Sequence, residues 1–215
     1  MANQNFHDDW TLVNPLGHLS VAAETPNRIT YTGLTRAETT YAWRDFGVGS
    51  FAPPFSHDFE FCQTAVSAEG SPTVYALTNS RDDVYSWYAG RPTQVIMVRL
   101  YAAASTIYLS EFETPEHDIY ASFSLNTTYY ARLLRPDETT IQLELYSNAA
   151  RTVLLDTLAI SIPTGRRWQW GQVATSWDSG HAALTASGWV ANLDLGEAGA
   201  AAVPPAFMFD AIGGI

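Results

Sequence analysis

An all-β fold, a sandwich or a barrel of short antiparallel strands, is what this sequence predicts. Three observations carry the prediction. Apolar and polar residues alternate along most of the chain, and the alternating runs are rich in β-branched and aromatic residues. No long segment sustains the three-and-four apolar spacing of an amphipathic helix. Turn chemistry (TPN, APPF, EGSP, RPDE, PTGR, DSGH) interrupts the runs at short intervals. At 215 residues the chain suits one large all-β domain or two small ones, and a hydrophobic share of 47% is ample for a core.

The elements follow in order. Runs 19–24 (LSVAAE) and 28–33 (RITYTG) are split by TPN, and 40–47 (TYAWRDFG) closes on a glycine. Run 57–66 (HDFEFCQTAV), entered through APPF, puts Phe59 and Phe61 on one face and Asp58 and Glu60 on the other. That is the pattern of an antiparallel strand with one wet face. Runs 73–80 (TVYALTNS), 94–103 (QVIMVRLYAA), 106–113 (TIYLSEFE) and 119–125 (IYASFSL) come next. The turn RPDE joins 128–135 (TYYARLLR) to 140–147 (TIQLELYS), where Ile141, Leu143 and Leu145 oppose Gln142, Glu144 and Tyr146. Runs 155–162 (LDTLAISI), 168–177 (WQWGQVATSW) and 186–195 (ASGWVANLDL) complete the series, with PTGR and DSGH between them. No internal repeat is evident, which disfavours a propeller. The domain is expected over 18–195, with an N-terminal arm at 1–17 and an Ala/Gly/Pro-rich C-terminal arm at 196–215.

Charge narrows the function classes. The net charge is -11 and the basic side is all arginine, since lysine is absent. A nucleic-acid binder needs a cationic footprint, and an anionic membrane surface would repel this chain, so neither partner is expected. The single cysteine, Cys62, allows no intrachain disulfide and reads as a small strand residue. The start MANQNFHDDW is polar and lacks the basic-then-apolar pattern of a signal peptide. No stretch approaches the roughly 20 apolar residues of a membrane span. The expected location is a producing cell's cytoplasm or a virion.

The segment LNTTYYARLLRPDETTIQLELYSNAARTVLLDTL resembles the late strands of concanavalin A-like lectin/glucanase domains, especially the laminin-G-like versions in phage and environmental proteins. Upstream, YAWRDFGVGSFAPPFSHDFEF is similar to that family's opening strands, and GWVANLDL to its closing strand. The resemblance implies a two-sheet antiparallel jelly-roll sandwich in which one sheet's concave face can hold ligand. Glycosidases of that fold carry an E-x-D-x-E strand motif. Here Asp58–Glu60 and Glu111–Glu113 each lack the third acid, so both read as solvated strand faces and no catalytic residue is assigned. Ser56, His57 and Asp58 are contiguous, so strand geometry sends neighbours to opposite faces.

Metal and sugar remain. The five histidines show no ligand spacing for zinc. The resemblance admits Ca2+ near a sandwich edge, with Asp82, Asp83, Asp178 and Asp194 as candidates for it or simply as turn-capping acids. No other cofactor is expected. The chain has seven Trp and eleven Tyr, and sugar rings stack their C–H faces on such rings. The loop at 79–92 offers Asp82, Asp83, Trp87, Tyr88 and Arg91 as glycan contacts. The strand at 168–177 offers Trp170 and Gln172, on one face with Trp168 if the strand is unbulged, and Trp177 at its end. Packing in the core is the alternative for each of these tryptophans. Apolar anchors at both ends, Phe6 and Trp10 in one arm and Phe207, Met208, Phe209 and Ile212 in the other, need burial on their own sandwich or on a neighbour. The sequence therefore predicts a non-catalytic structural or decoration protein of a phage-like particle, contacting itself or other particle proteins. The alternative is a carbohydrate-binding module outside any particle, with a glycoside hydrolase more distant.

Overall fold

A computed structural model describes residues 3–35, 38–67, 71–81, 94–101, 105–114, 116–175 and 185–197. These residues form fourteen strands: β1 (Thr11–Val13), β2 (Leu19–Ser20), β3 (Arg28–Thr35), β4 (Tyr41–Ser50), β5 (Phe55–Val66), β6 (Thr73–Thr78), β7 (Ile96–Tyr101), β8 (Thr106–Glu111), β9 (His117–Tyr120), β10 (Tyr129–Arg135), β11 (Thr140–Tyr146), β12 (Leu154–Ser161), β13 (Trp168–Thr175) and β14 (Thr185–Glu197). They pair antiparallel in two seven-stranded sheets. The first runs β1-β4-β13-β6-β7-β8-β9 and the second β12-β11-β10-β5-β14-β3-β2. Among the described residues there is no helix, so the all-β sandwich read from the alternation is the observed fold.

Alternation decides which side of each strand meets the core. On β5, Phe55, Phe59 and Phe61 are buried, while Asp58 and Glu60 between them are only part-buried. Leu133 on β10 stands beside Leu143 on β11, and Leu143 beside Leu158 on β12, forming one apolar row across the second sheet. Tyr75, Leu77, Ile96, Val98, Ile107 and Leu109 answer from the first sheet in the same cluster. Two seven-stranded faces therefore enclose a dry layer, whose burial drives the fold.

One polar tie crosses that layer. His57 on β5 is fully buried, and its Nδ1 lies 2.9 Å from the Tyr75 hydroxyl on β6, in the opposite sheet. The ring stacks on Phe55 at 4.3 Å between centroids. Burial without a charged partner pushes its pKa down to about 3, so the imidazole is neutral.

The N-terminal segment lies on its own sandwich. Phe6 is fully buried and Trp10 nearly so, edge-to-face at 5.2 Å, and β1 adds an edge strand to β4. The Gln4 N–H donates to the Leu193 carbonyl at 2.7 Å, which fastens this segment to β14. Phe6 and Trp10, expected as assembly contacts, are thus core residues of their own chain. Phe207, Met208, Phe209 and Ile212 lie outside the described residues.

One end of the sandwich is closed by an arginine. Arg135 is fully buried and donates from Nη1 to the carbonyls of Phe51 (3.0 Å) and Arg166 (2.7 Å), and from Nη2 to Glu138 (3.1 Å). Its guanidinium sits over the Trp168 ring at 5.0 Å. Glu111, expected on a solvated face, is instead buried, because Arg166 and the Thr114 N–H and hydroxyl converge on its carboxylate.

Candidate functional site

The strand expected to carry aromatic contacts is irregular. A register shift separates Trp168 from Trp170 on β13, and the residues opposite them on β4 are Ser50 and Asp45. The intervening stretch Phe46–Gly49 holds Gly47 and Gly49 at φ of 91° and 81°, left-handed values that glycine adopts without a Cβ penalty. The irregularity sends Trp168 into the core. Trp170 is only half-buried. The Asp45 carboxyl is held below its usual range by the Gly47 N–H, then by the side chains of Gln169 and Trp170. Gln172 is fully buried and lies opposite Trp43 and Ala76. The face it occupies carries Ala76, Val95 and Met97, also buried. Trp168, Trp170 and Gln172 therefore do not form one exposed row. Asp82, Asp83, Trp87, Tyr88, Arg91, Trp177 and Asp178 lie outside the described residues.

A depression of about 260 Å³ opens on the outer face of the second sheet, lined by Asn3, Asp58, Glu60, Tyr130, Ala149, Arg151, Asn192 and Asp194. Three neighbouring strands build it. β5 supplies Asp58 and Glu60, two residues apart and so on one face. β10 supplies Tyr130, directly opposite Glu60, and Arg132, directly opposite Asp58. β14 supplies Asp194, opposite Asp58 on the other side.

Several of these positions have an identifiable support. Arg132 grips Asp58 with two bonds, Nε to Oδ1 at 2.7 Å and Nη2 to Oδ2 at 3.0 Å. That bidentate bond, more than any other effect, raises the Arg132 pKa. Arg151 arrives from the turn after β11, with its own φ at 51°. Asn148 shapes that turn, its Oδ1 accepting from the N–H groups of Thr152 (3.1 Å) and Val153 (3.0 Å). Arg151 then reaches toward the carbonyls of Ala131 (3.4 Å) and Phe59 (3.3 Å), and stands 3.6 Å from Asp58.

Asp194 owes its position to a bulge. The pairing of β14 with β5 shifts between Ala191 and Asp194, and Asn192 there adopts φ of 53°. The Asn192 N–H donates to the Asn27 carbonyl at 2.9 Å, and its Oδ1 accepts from the amides of Asn3 (3.1 Å) and Asn27. Bulges re-aim side chains in this way. Asp194 Oδ1 is buried without a donor among the described residues. Burial raises the Glu60 pKa, with Arg151 and Arg28 opposing the shift. Beside the depression the Arg28 guanidinium covers the Trp189 ring at 4.3 Å, and Cys62, opposite Trp189, is a buried thiol whose pKa burial also raises.

Like carboxylates facing one another across strands destabilise a sheet. Asp58 and Asp194 stand in that relation, and the two arginines offset it. Among the described residues no group of three or more His, Cys, Asp and Glu side chains is arranged to hold a metal ion. Of the lining residues, the sequence singles out Asp58 and Glu60 as a pair and Asp194 as a calcium or turn-capping candidate, whereas it does not single out Asn3, Tyr130, Ala149, Arg151 and Asn192. The outward alternation of TYYARLLR, which sets Tyr130 and Arg132 on a wet face, was the signal available.

The architecture is that of the lectin-type, concanavalin A-like jelly-roll sandwich. Solved structures similar to the chain include the carbohydrate binding module CBM66 from Bacillus subtilis (TM-score 0.52, 13% identity, covering 92% of this chain and 99% of that one). They also include arcelin-5, a lectin-like defense protein from Phaseolus vulgaris (TM-score 0.52, 12% identity, 87% and 92% covered). The exoplasmic/lumenal domain of VIP36, in a Ca2+/Man2-bound form, is similar at a TM-score of 0.50 and 10% identity, with 85% and 80% covered. No protein-family model matches the sequence, and no curated protein does. At these identities the likeness is one of fold.

Proposed function

We propose that the chain is a lectin-like carbohydrate-binding protein that holds a glycan in the depression on its second sheet without cleaving it. The observation that carries this reading is the depression itself: Asp58, Glu60, Tyr130, Arg151, Asn192 and Asp194 converge on about 260 Å³ of a sheet face that is otherwise part-wet. Sugar hydroxyls need hydrogen-bonding partners on several sides, and the carboxylates and side-chain amides lining the depression offer them. The Tyr130 ring offers an apolar surface for the C–H face of a pyranose. Similarity of fold to a carbohydrate binding module and to a lumenal domain bound to Man2 supports the reading.

The absence of cleavage is part of the proposal. Asp58, which would have to act with Glu60 in a two-carboxylate mechanism, is occupied by both nitrogens of the Arg132 fork. Of the apolar anchors that spoke for a particle, Phe6 and Trp10 are spent inside this sandwich. The glycan reading is therefore preferred. A glycan panel followed by calorimetry tests it. Tyr130→Ala is expected to abolish binding and Asp194→Asn to weaken it, both at unchanged melting temperature, with no reducing ends released from any bound glycan. A panel without a single ligand, or variants that bind as well as the parent, would overturn it.

A further inference from the structure

Resting on that reading of the site, we propose that the depression selects sugars that donate hydrogen bonds, neutral or amino-bearing, and turns away uronates and other carboxylated sugars. Its cations are already committed. Arg132 is locked to Asp58, and Arg151 is directed at two backbone carbonyls and at Asp58. The Asn192 carbonyl oxygen is taken by the amides of Asn3 and Asn27. What remains is acceptor capacity. Glu60 is attracted by Arg151 and Arg28 but accepts no hydrogen bond among the described residues. Asp194 holds a buried oxygen that no donor of the described chain reaches.

The lining thus presents three carboxylates against the single guanidinium of Arg151. A ligand hydroxyl or ammonium entering there supplies the donors that Glu60 and Asp194 lack, and charge-assisted bonds of this kind are the strong ones. A ligand carboxylate meets two like charges, and the remaining cation beside them, Arg28, lies over the Trp189 ring rather than in the depression. Glu60 and Asp194 are part-buried, so both the attraction and the repulsion are less screened than at a fully open surface. Sites that hydrogen-bond a substrate group discriminate strongly against analogues that cannot reciprocate.

The test uses the full chain and three oligosaccharide series of matched length and linkage: a glucan, its glucosamine counterpart and its glucuronate counterpart. The glucan or the glucosamine series is expected to bind at least about tenfold more tightly than the glucuronate, equivalent to about 1.4 kcal/mol. Reducing the glucuronate carboxyls to alcohols is expected to restore binding. In the protein, Glu60→Gln combined with Asp194→Asn is expected to shrink the preference to below about threefold. Glucuronate binding as tight as the neutral series, or a gap indifferent to carboxyl reduction, would overturn the selection while leaving glycan binding intact. Failure of all three series together with the broader panel removes the glycan reading, and the selection falls with it. Carboxyl reduction acts on the ligand, so it decides the matter even where the double variant does not fold.

Discussion

Acidification should weaken this fold through one side chain, His57. The ring is fully buried, and its pKa is near 3 in the folded protein against 6.5 when solvated. The folded value lies below the unfolded one, so the unfolded chain binds the proton first. The stability tied to the neutral ring is fully present above about pH 6.5 and is lost as the pH falls toward 3. Each pH unit inside that window costs about 1.4 kcal/mol. Between pH 7.5 and 5.0 the loss amounts to about 2 kcal/mol, because the unfolded ring gains nearly a full proton and the folded ring gains almost none. Many carboxylates titrate nearby in pH, so the measurement must be a difference. Urea unfolding of the parent and of His57→Gln at both pH values isolates the imidazole. The parent's advantage over the variant is expected to fall by about 2 kcal/mol on going to pH 5.0, with unchanged denaturant slopes. An advantage constant within about 0.5 kcal/mol would refute the reasoning, because it would mean that the folded ring titrates near its solvated value.

Other perturbations follow from the packing. Arg135→Met strips a buried cation from the Phe51 and Arg166 carbonyls and from Glu138, and is expected to cost about 3–5 kcal/mol in chemical denaturation. Gly188→Ala places a methyl group against the Cys62 carbonyl and 2.6 Å from the Tyr31 hydroxyl, so a loss of about 1–3 kcal/mol is expected, partly recovered by Tyr31→Phe. Phe6→Ala empties a fully buried position and should cost about 3–5 kcal/mol while leaving the mass in light scattering unchanged, the opposite of what an intersubunit anchor would do.

The strands were legible because their side chains obey a period of two. Phe59 and Phe61 point inward and Asp58 and Glu60 outward, as the letters HDFEF imply. Ile141, Leu143 and Leu145 are all core. β1 escaped notice because three residues, Thr11–Val13, are too few to show a period, and β4 holds them in place. Trp168 and Trp170 were read as companions because their spacing says so, but the register shift on β13 separates them. The depression was less legible still. Alternation fixes the face of Asp58, Tyr130 and Asp194 one strand at a time, yet says nothing about which strands adjoin. Only the pairing of β5 with β10 and β14 brings the three together. Asn192 in a left-handed conformation is a local choice that asparagine tolerates but does not announce.

The place of β14 has a consequence for how the molecule is made. It is the latest-synthesised of the described strands, yet it lies inside the second sheet, between β5 and β3. A ribosome that has finished β5 at Val66 must add about 130 residues before Glu197 appears. At roughly 5–20 residues per second that is on the order of 7–26 s. Throughout that interval β3 and β5 each present an unpaired edge, the kind of surface on which nascent chains join one another. The bond from Gln4 to Leu193 obeys the same timetable, as does the depression on the second sheet, since Asn192 and Asp194 come with β14. Gln4 therefore waits for Leu193 before it finds its partner, and the depression is completed in the same step as the sheet that bears it.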